Sequence, residues 1–425
     1  MSYLPNTQFS YGDGPALDAF GRLRVSNLFN IFDVKLVDGI SDIFFDEKFS
    51  GGSLTELTGD SAHLLSVTGG SGSYAIVQTK RKFNYQSGKG QLAYFTGVLS
   101  IQIGTIKRIG LFDGSHIAPF LPYNGLYFET DGTDISVNMV KNTTGITKII
   151  QSDWNLDKMD GSSGKTNPSG ILLDTTKSQI FTIDFEWLGV GRVRYGLNID
   201  GITYYVHEIL NANNIYGVYI RYPNLPIRYE IRSTGGNGDI LQICSAISSE
   251  GGFDPNGIIR NLRSSPAGFT IANNTPRPIL AIRLRNIDNM IEIIPLFASV
   301  GNEGSGDFFW VLKYYDGNET INRNGTPTAW KDIAFTGLTS SSIEYKNNFL
   351  TTDTVIAGQG IEISSAVQIA NSSGFFGGGG SIITNIKNAL LIGSAIDGVA
   401  DVLCLEIINV GTSDTYYATL NWREV

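Results

Sequence analysis

Chemistry in a protein needs a reacting side chain and a neighbour that tunes it, and this chain is poor in both. Its 425 residues hold three histidines, His63, His116 and His207, and two cysteines, Cys244 and Cys404. None lies in a HExxH or CxxC spacing, so a zinc site lacks its ligands. Both cysteines sit in alternating apolar runs and read as buried free thiols. The best paired carboxylates are Asp184 and Glu186, two residues apart beside Trp187. Such a pair supports glycoside hydrolysis only if held about 5–10 Å apart across a sugar, and the polar face of an amphipathic strand explains it more simply. The oxygen-rich stretches Asp131-Gly132-Thr133-Asp134 and Asp153 to Asp160 suit calcium chemically but lack the EF-hand spacing. Gly69-Gly70-Ser71-Gly72-Ser73 lacks the Lys-Ser/Thr of a phosphate loop and reads as a hairpin loop. No catalytic residue, metal ligand or cofactor is assigned, and no enzymatic activity is expected.

The elements that would carry these residues are strands. Phe181-Thr182-Ile183-Asp184-Phe185-Glu186-Trp187 alternates strictly, and Arg192 to Ile199 does so again. Alternation puts one face in a core and the other outward. Asp-Gly and Asn-Gly pairs are frequent, and Asp200-Gly201 sits between two strand-like runs, where a tight hairpin needs positive φ. Helical patterning is confined to Thr384–Leu391 and Ile258–Leu262. Many short strands with dense turns predict an all-β protein: an N-terminal arm and two antiparallel, jelly-roll-like β-sandwiches.

Residues 1–40 form the expected arm, 41–248 the first sandwich, 249–275 a linker rich in Gly, Pro, Asn and Ser, and 276–425 the second sandwich. The Gly377–Gly380 run reads as a loop tip or a site of close backbone approach. The arm carries Tyr11-Gly12-Asp13-Gly14-Pro15 and then Leu17 to Ser26; it is too short for a core yet rich in apolar residues, so it should dock on its own body or on a neighbour. Leu17, Phe20, Arg22, Leu23 and Val25 are the candidate partner-binding residues, since burying apolar area contributes about 25 cal/mol per Å².

Composition narrows the partners. Hydrophobic residues make up 42% and charged residues 17%, which excludes a disordered acidic chain. A net charge of −9 disfavours nucleic acid, whose phosphates need a cationic footprint. No run approaches about 18 apolar residues, so no membrane insertion is expected. The N-terminus shows no basic-then-apolar leader, so the chain is expected to be made in a cytoplasm and to stay soluble or leave by a route other than Sec. Tyr204, Tyr205, Tyr216, Tyr219, Tyr222 and Tyr229 form a tyrosine-rich stretch that could serve the core, a subunit interface or a sugar.

Phe185 to Gly196, followed by Ile199-Asp200-Gly201, resembles a domain of virion structural proteins of tailed phages, large and cyanophage-like myoviruses above all. Similar patches are Arg81 to Lys89, His207-Glu208 with Asn211-Ala212-Asn213, Pro223 to Ile231, the arm motif Asp18 to Ser26, and Phe297-Ala298-Ser299 with Gly306 to Trp310. The Trp187 to Gly201 segment also resembles the concanavalin/laminin-G jelly roll. The resemblance implies a non-enzymatic virion component of tail, baseplate, fibre or capsid exterior, assembled in the host cytoplasm. Its partners would be other virion proteins and further copies of itself, a trimer being one arrangement. The alternative is a carbohydrate-binding adhesin that recognises a host surface glycan, and a glycan-cleaving enzyme is a third reading.

Overall fold

The computed structural model describes residues 17–25, 27–252, 256–272, 274–285, 291–304, 306–316, 331–332, 341–350, 353–355, 359–368, 380–381 and 392–425. The Tyr11–Pro15 motif, Ser26, Gly377–Gly379 and the helix expected over Thr384–Leu391 lie outside the described residues. The protein is all-β, and among the described residues only the 3-10 turns Leu36–Asp38 and Gln151–Asp153 are helical. The chain divides into two compact units: Met1–Thr79 with Tyr85–Asp254, and Lys80–Asn84 with Pro255–Val425.

The first unit holds fifteen strands. They are β1 (Leu28–Lys35), β2 (Phe45–Ser50), β3 (Gly52–Leu57), β4 (Ala62–Val67), β5 (Tyr74–Thr79), β6 (Gln91–Val98), β7 (Thr105–Gly114), β8 (Pro122–Thr130), β9 (Ile135–Lys141), β10 (Gly145–Ile150), β11 (Gln179–Phe185), β12 (Val193–Ile199), β13 (Ile202–Ile209), β14 (Ile227–Ser233) and β15 (Gly238–Glu250). One sheet runs β13-β12-β11-β6-β15-β4-β3, with β1 also paired to β15; the other runs β10-β9-β8-β7-β14-β5-β2. The strand pairings within them are antiparallel.

Alternation decides what lies between the sheets. From β11, Phe181, Ile183 and Phe185 point inward and are fully buried, while Asp184 takes the other face. Phe128 of the facing sheet meets Phe181 at 4.9 Å and Tyr195 at 5.5 Å between ring centroids. The Tyr195 hydroxyl crosses the layer to donate to the Asn138 carbonyl at 2.6 Å. Asp200-Gly201 makes the predicted tight turn, with φ of 52° and 79° and Ile199 opposite Ile202.

Three sequence expectations shift. The strand β1 starts at Leu28 and is hydrogen-bonded along β15, so residues 28–35 of the expected arm belong to the first sandwich. Its Ile31 and Phe32 are buried, which explains the attachment. The Gly69–Ser73 loop joins β4 of one sheet to β5 of the other, so it is a crossing between sheets rather than a hairpin. Within the expected linker, β16 (Ile258–Arg263) and β17 (Phe269–Ile271) are strands, so Ile258–Leu262 is not a helix. A β-branched pair, Ile258-Ile259, with alternating burial at Arg260 and Leu262 fits a pleated edge better than a helix.

The second unit continues with β18 (Arg277–Leu284), β19 (Ile293–Asn302), β20 (Asp307–Tyr315), β21 (Lys331–Asp332), β22 (Ile343–Lys346), β23 (Ile361–Gln368), β24 (Gly380–Ser381), β25 (Val402–Val410) and β26 (Asp414–Glu424). One sheet runs β16-β26-β19-β24 with β17 on β26, and the other runs β21-β22-β18-β25-β20-β23. Trp310, Leu403 and Leu405 of one sheet and Tyr416, Leu420 and Trp422 of the other belong to one buried cluster. Of the two cysteines expected to be buried, Cys404 is fully buried in this second sandwich, whereas Cys244 on β15 is only partly buried, on the open face of its sheet.

Candidate functional site

The outward face of the first unit's larger sheet carries the densest polar constellation. Its residues stand in rows set by strand register. Arg194, Asp184 and Leu92 are directly opposed on β12, β11 and β6. Two residues along the same face come Gly196, Thr182 and Tyr94, with Ala246 and Asp33 continuing across β15 and β1. Two further along come Asn198, Ile180, Thr96, Cys244 and Lys35.

The N-terminal segment folds onto the first of these rows as a tight hairpin. Leu17 bridges to Leu23, and Asp18 N–H donates to the Arg22 carbonyl at 2.8 Å. Gly21 supplies the φ of 75° that the turn requires. The Asp18 carboxylate accepts from Arg22 N–H at 2.8 Å and from Arg22 Nε at 2.7 Å, so the hairpin is closed by its own ion pair.

Three arginines fix it to the sheet. Arg24 donates to Asp184 at 2.5 Å and lies 3.2 Å from Glu250. Arg194 donates to the same Asp184 oxygen at 2.5 Å and to the Leu17 carbonyl at 2.7 Å. Arg192 donates to the Ala19 and Asp18 carbonyls at 3.0 and 3.2 Å. Tyr205 donates to Asp184 at 2.7 Å, and Arg194 lies 4.1 Å from its ring centroid. Burial opposes the charge on Arg24, but Asp184, Tyr205 and Glu250 outweigh it and raise the guanidinium pKa. Burial pushes the Glu250 carboxyl up, with Arg24 pulling the other way.

The five sequence-predicted contact residues separate accordingly. Leu17 is half-buried and gives its carbonyl to two arginines, while Phe20 lies 4.4 Å under the Arg22 guanidinium. Arg22 also reaches the Gly88 carbonyl at 3.3 Å. Leu23 and Val25 face outward, 48% and 87% exposed. Asp18, Ala19, Arg24, Asp184 and Arg194, which carry the docking, are not among these five. A signal existed, since a buried position on an otherwise apolar strand carries Asp184 and its neighbour strand places an arginine opposite.

Beyond the hairpin, the remaining rows form a groove of ≈ 370 Å³ lined by Tyr94, Thr96, Ile180, Asn198, Asp33 and Lys35, with Cys244 in its floor. The two carboxylates of the sequence pair are engaged by different partners. Asp184 is held by two guanidinium groups and a phenol, and Glu186, past the end of β11, accepts Arg192 N–H at 3.0 Å.

The opposite sheet has its own charged ladder under the 115–121 segment. Arg108 pairs with Glu129 at 2.7 Å and Glu230 at 2.5 Å, and Arg228 pairs with Glu230 at 2.7 Å. Arg228 also donates to Gln78 and to the Gly114 and Ser115 carbonyls, and Arg108 to the Phe120 carbonyl. Burial alone would raise the Glu230 pKa, but Arg228 and Arg108 hold it below the ordinary value. Asp131 accepts from Thr133 and Asp134 N–H and pairs with Lys148 at 2.8 Å, so a lysine occupies the place a cation would take. Asp157 and Asp160 likewise accept backbone N–H groups of their own loop. Among the described residues no group of three or more His, Cys, Asp or Glu converges on a point.

His207 is buried, and its Nδ1 accepts Asn155 N–H at 3.2 Å. Burial lowers its pKa to about 4. The unfolded imidazole titrates near ~6.5, so the unfolded chain binds more protons between these values. Stability is therefore expected to fall as pH drops from about 6.5 to 4. In urea melts across this window, His207→Asn should flatten that part of the profile; an unchanged slope would show that other groups govern it. Of the tyrosine-rich stretch, Tyr205, Tyr219 and Tyr229 are buried, Tyr222 donates to Asp113 at 2.8 Å, and Tyr216 is fully exposed.

No family model matches the chain. No curated protein matches it either. Among solved structures it is similar to concanavalin- and lectin-like jelly rolls. One is a glycoside hydrolase family protein from Mycobacterium thermorestibile, at 12% identity over 51% of this chain and 99% of that one, with a TM-score of 0.33. Another is a conserved carbohydrate esterase from the Shiga toxin-encoding bacteriophage phi24B, at 10% identity over 52% and 99%, TM-score 0.27. A third is a legume lectin-like domain from Entamoeba histolytica, at 12% identity over 52% and 98%, TM-score 0.29.

Proposed function

We propose that the protein is a non-enzymatic structural component of a tailed-phage virion, joined to its neighbours through the N-terminal hairpin and its sandwich surfaces. The observation that carries this reading is the hairpin. Three arginines hold its backbone rigidly on the sheet, while Leu23 and Val25 stand out from it without a partner surface among the described residues. A rigid loop with outward apolar side chains is preorganised for association, because little conformational freedom is lost on binding. The motif Asp18 to Ser26 resembles the N-termini of virion proteins, which supports the placement in a particle. Copies of the chain and other virion proteins are the partners, with assembly in the host cytoplasm. The strand-face acids Asp184, Glu230 and Glu129 support a non-catalytic reading, because each is held by an arginine or lysine.

A truncation beginning at Leu28 tests this, since it removes the hairpin and keeps β1. It should fold and fail to enter particles in a complementation assay, whereas incorporation at the wild-type level would refute the reading. The second reading, a glycan-binding adhesin, rests on the groove. Its ≈ 370 Å³ and mixed lining of Tyr94, Asn198, Thr96 and Asp33 fall in the range of small-ligand sites. Saturable glycan-array binding abolished by Tyr94→Ala would favour it, and the absence of any bound glycan would remove it.

A further inference from the structure

We infer that the groove on the first unit is the seat of residues 9–16 of the same chain, the stretch immediately before the hairpin. This seating holds whether or not the chain enters a particle. The hairpin sets the heading. On β12 and just before it, Arg192, Arg194, Gly196 and Asn198 follow one another at every second residue of the outward face. Arg192 holds the carbonyls of Asp18 and Ala19, and Arg194 holds that of Leu17. Followed backwards, the backbone therefore advances along β12 from Arg192 to Arg194. The tip of the hairpin lies the other way, where Arg22 reaches the Gly88 carbonyl. The same heading carries the preceding residues over Gly196 and then over Asn198, which lines the groove. Two residues of extended chain cover about 7 Å, so Pro15 comes over the row of Gly196, Thr182 and Tyr94.

That row holds an orphaned polar group. Thr182 has no solvent exposure, and its hydroxyl has no hydrogen-bond partner among the described residues. A buried hydroxyl without a partner is unfavourable, and a backbone group of a segment passing over Gly196 supplies one. Beyond it the groove is mainly apolar, with Val34, Tyr94, Ile180, Ala246 and Cys244 in its lining. Residues 9–16 read Phe-Ser-Tyr-Gly-Asp-Gly-Pro-Ala, with two aromatic rings and a single charge. Gly12 and Gly14 permit the sharp bend that brings Tyr11 and Phe9 across the groove instead of along β12. Aromatic rings then cover the apolar lining with a large contact area.

The occupant is the segment of the same chain. A second copy carries the same residues, but the segment anchored at Leu17 acts at the effective concentration of a short tether, about millimolar. Its ordering cost is also reduced, because Arg194 and Arg24 already fix the Leu17 end. The groove is thus covered in the resting chain, and any other ligand must first displace residues 9–16.

The two cysteines make the test direct. Cys244 lies in the groove and reports its occupant, while the fully buried Cys404 reports unfolding. With a chromogenic disulfide reagent under native conditions, both thiols of the full chain should react slowly. A variant lacking residues 2–16 keeps the hairpin from Leu17. Its Cys244 should react at least about tenfold faster, since thiol reactivity follows access, with Cys404 still silent. Phe9→Ser with Tyr11→Ser should have the same effect without shortening the chain, and it decides the matter if Cys404 reacts in the truncated protein. Equal Cys244 rates in wild type and the double variant would overturn the inference. So would fast Cys244 reaction in wild type, which would mean an open groove. Protection that rises with protein concentration would also overturn it, because the occupant would then come from a second copy.

Discussion

Asp184→Ala is expected to destabilise the first unit by about 3–5 kcal/mol, the cost of leaving a buried cation without its partner. Asp184 has no solvent exposure, and it holds Arg24, the equally buried Arg194 and the Tyr205 hydroxyl at once. Removing it leaves two guanidinium groups beside one another, with Glu250 lying 3.2 Å from Arg24. The hairpin should loosen as well, because Arg24 loses its short contact to the sheet. Trypsin cleavage after Arg24 reads this directly: it should be slow in wild type and fast in the variant. Chemical denaturation gives the energy. A loss below about 1 kcal/mol, the value of an exposed pair, would mean the clasp is solvated in solution.

Glu230→Ala should cost a similar ~3–5 kcal/mol by the same mechanism on the opposite sheet. Glu230 bridges Arg108 and Arg228, and those arginines in turn hold the carbonyls of Gly114, Ser115 and Phe120. Loss of the carboxylate should therefore raise proteolysis within residues 115–121 along with lowering the melting temperature. The pairing also sets a pH window. Because the folded pKa of Glu230 is depressed, its contribution is present above the unfolded value of about 4.3 and lost as pH falls through the lower folded one. Wild type should lose this stability in acid below the range in which His207 acts, and Glu230→Ala should lack that step.

The parts of the fold governed by local rules were legible in the sequence. The Phe181 to Trp187 alternation predicts which face of β11 enters the core, and Asp200-Gly201 predicts a turn that the register of β12 and β13 reproduces. What local rules do not carry is pairing at long range. Nothing in Leu28 to Lys35 by itself says that the strand lies along β15, some two hundred residues away, so the arm expected from the sequence runs past its true end. The short run Ile258 to Leu262 fits a helical or a pleated period equally well until its partner β26 is known.

The candidate site shows the same division. The apolar residues of the hairpin, Leu17, Phe20, Leu23 and Val25, stand out by composition. The anchors are charged, and an arginine in a sequence looks like solvent-exposed polarity until an acid is placed beneath it. Asp184 is 160 residues from Arg24, and only the folded sheet brings them to 2.5 Å. The hairpin therefore presents two faces: a charged one committed to its own body and an apolar one turned away from it.

That second face is what the account stands on, and a surface variant isolates it from folding. Leu23→Asp with Val25→Asp changes two exposed side chains and none of the arginine contacts. Thermal melting of the double variant should match wild type, and its incorporation into particles in a complementation assay should be lost. Particles carrying the variant at the wild-type level would contradict the assembly role of the hairpin.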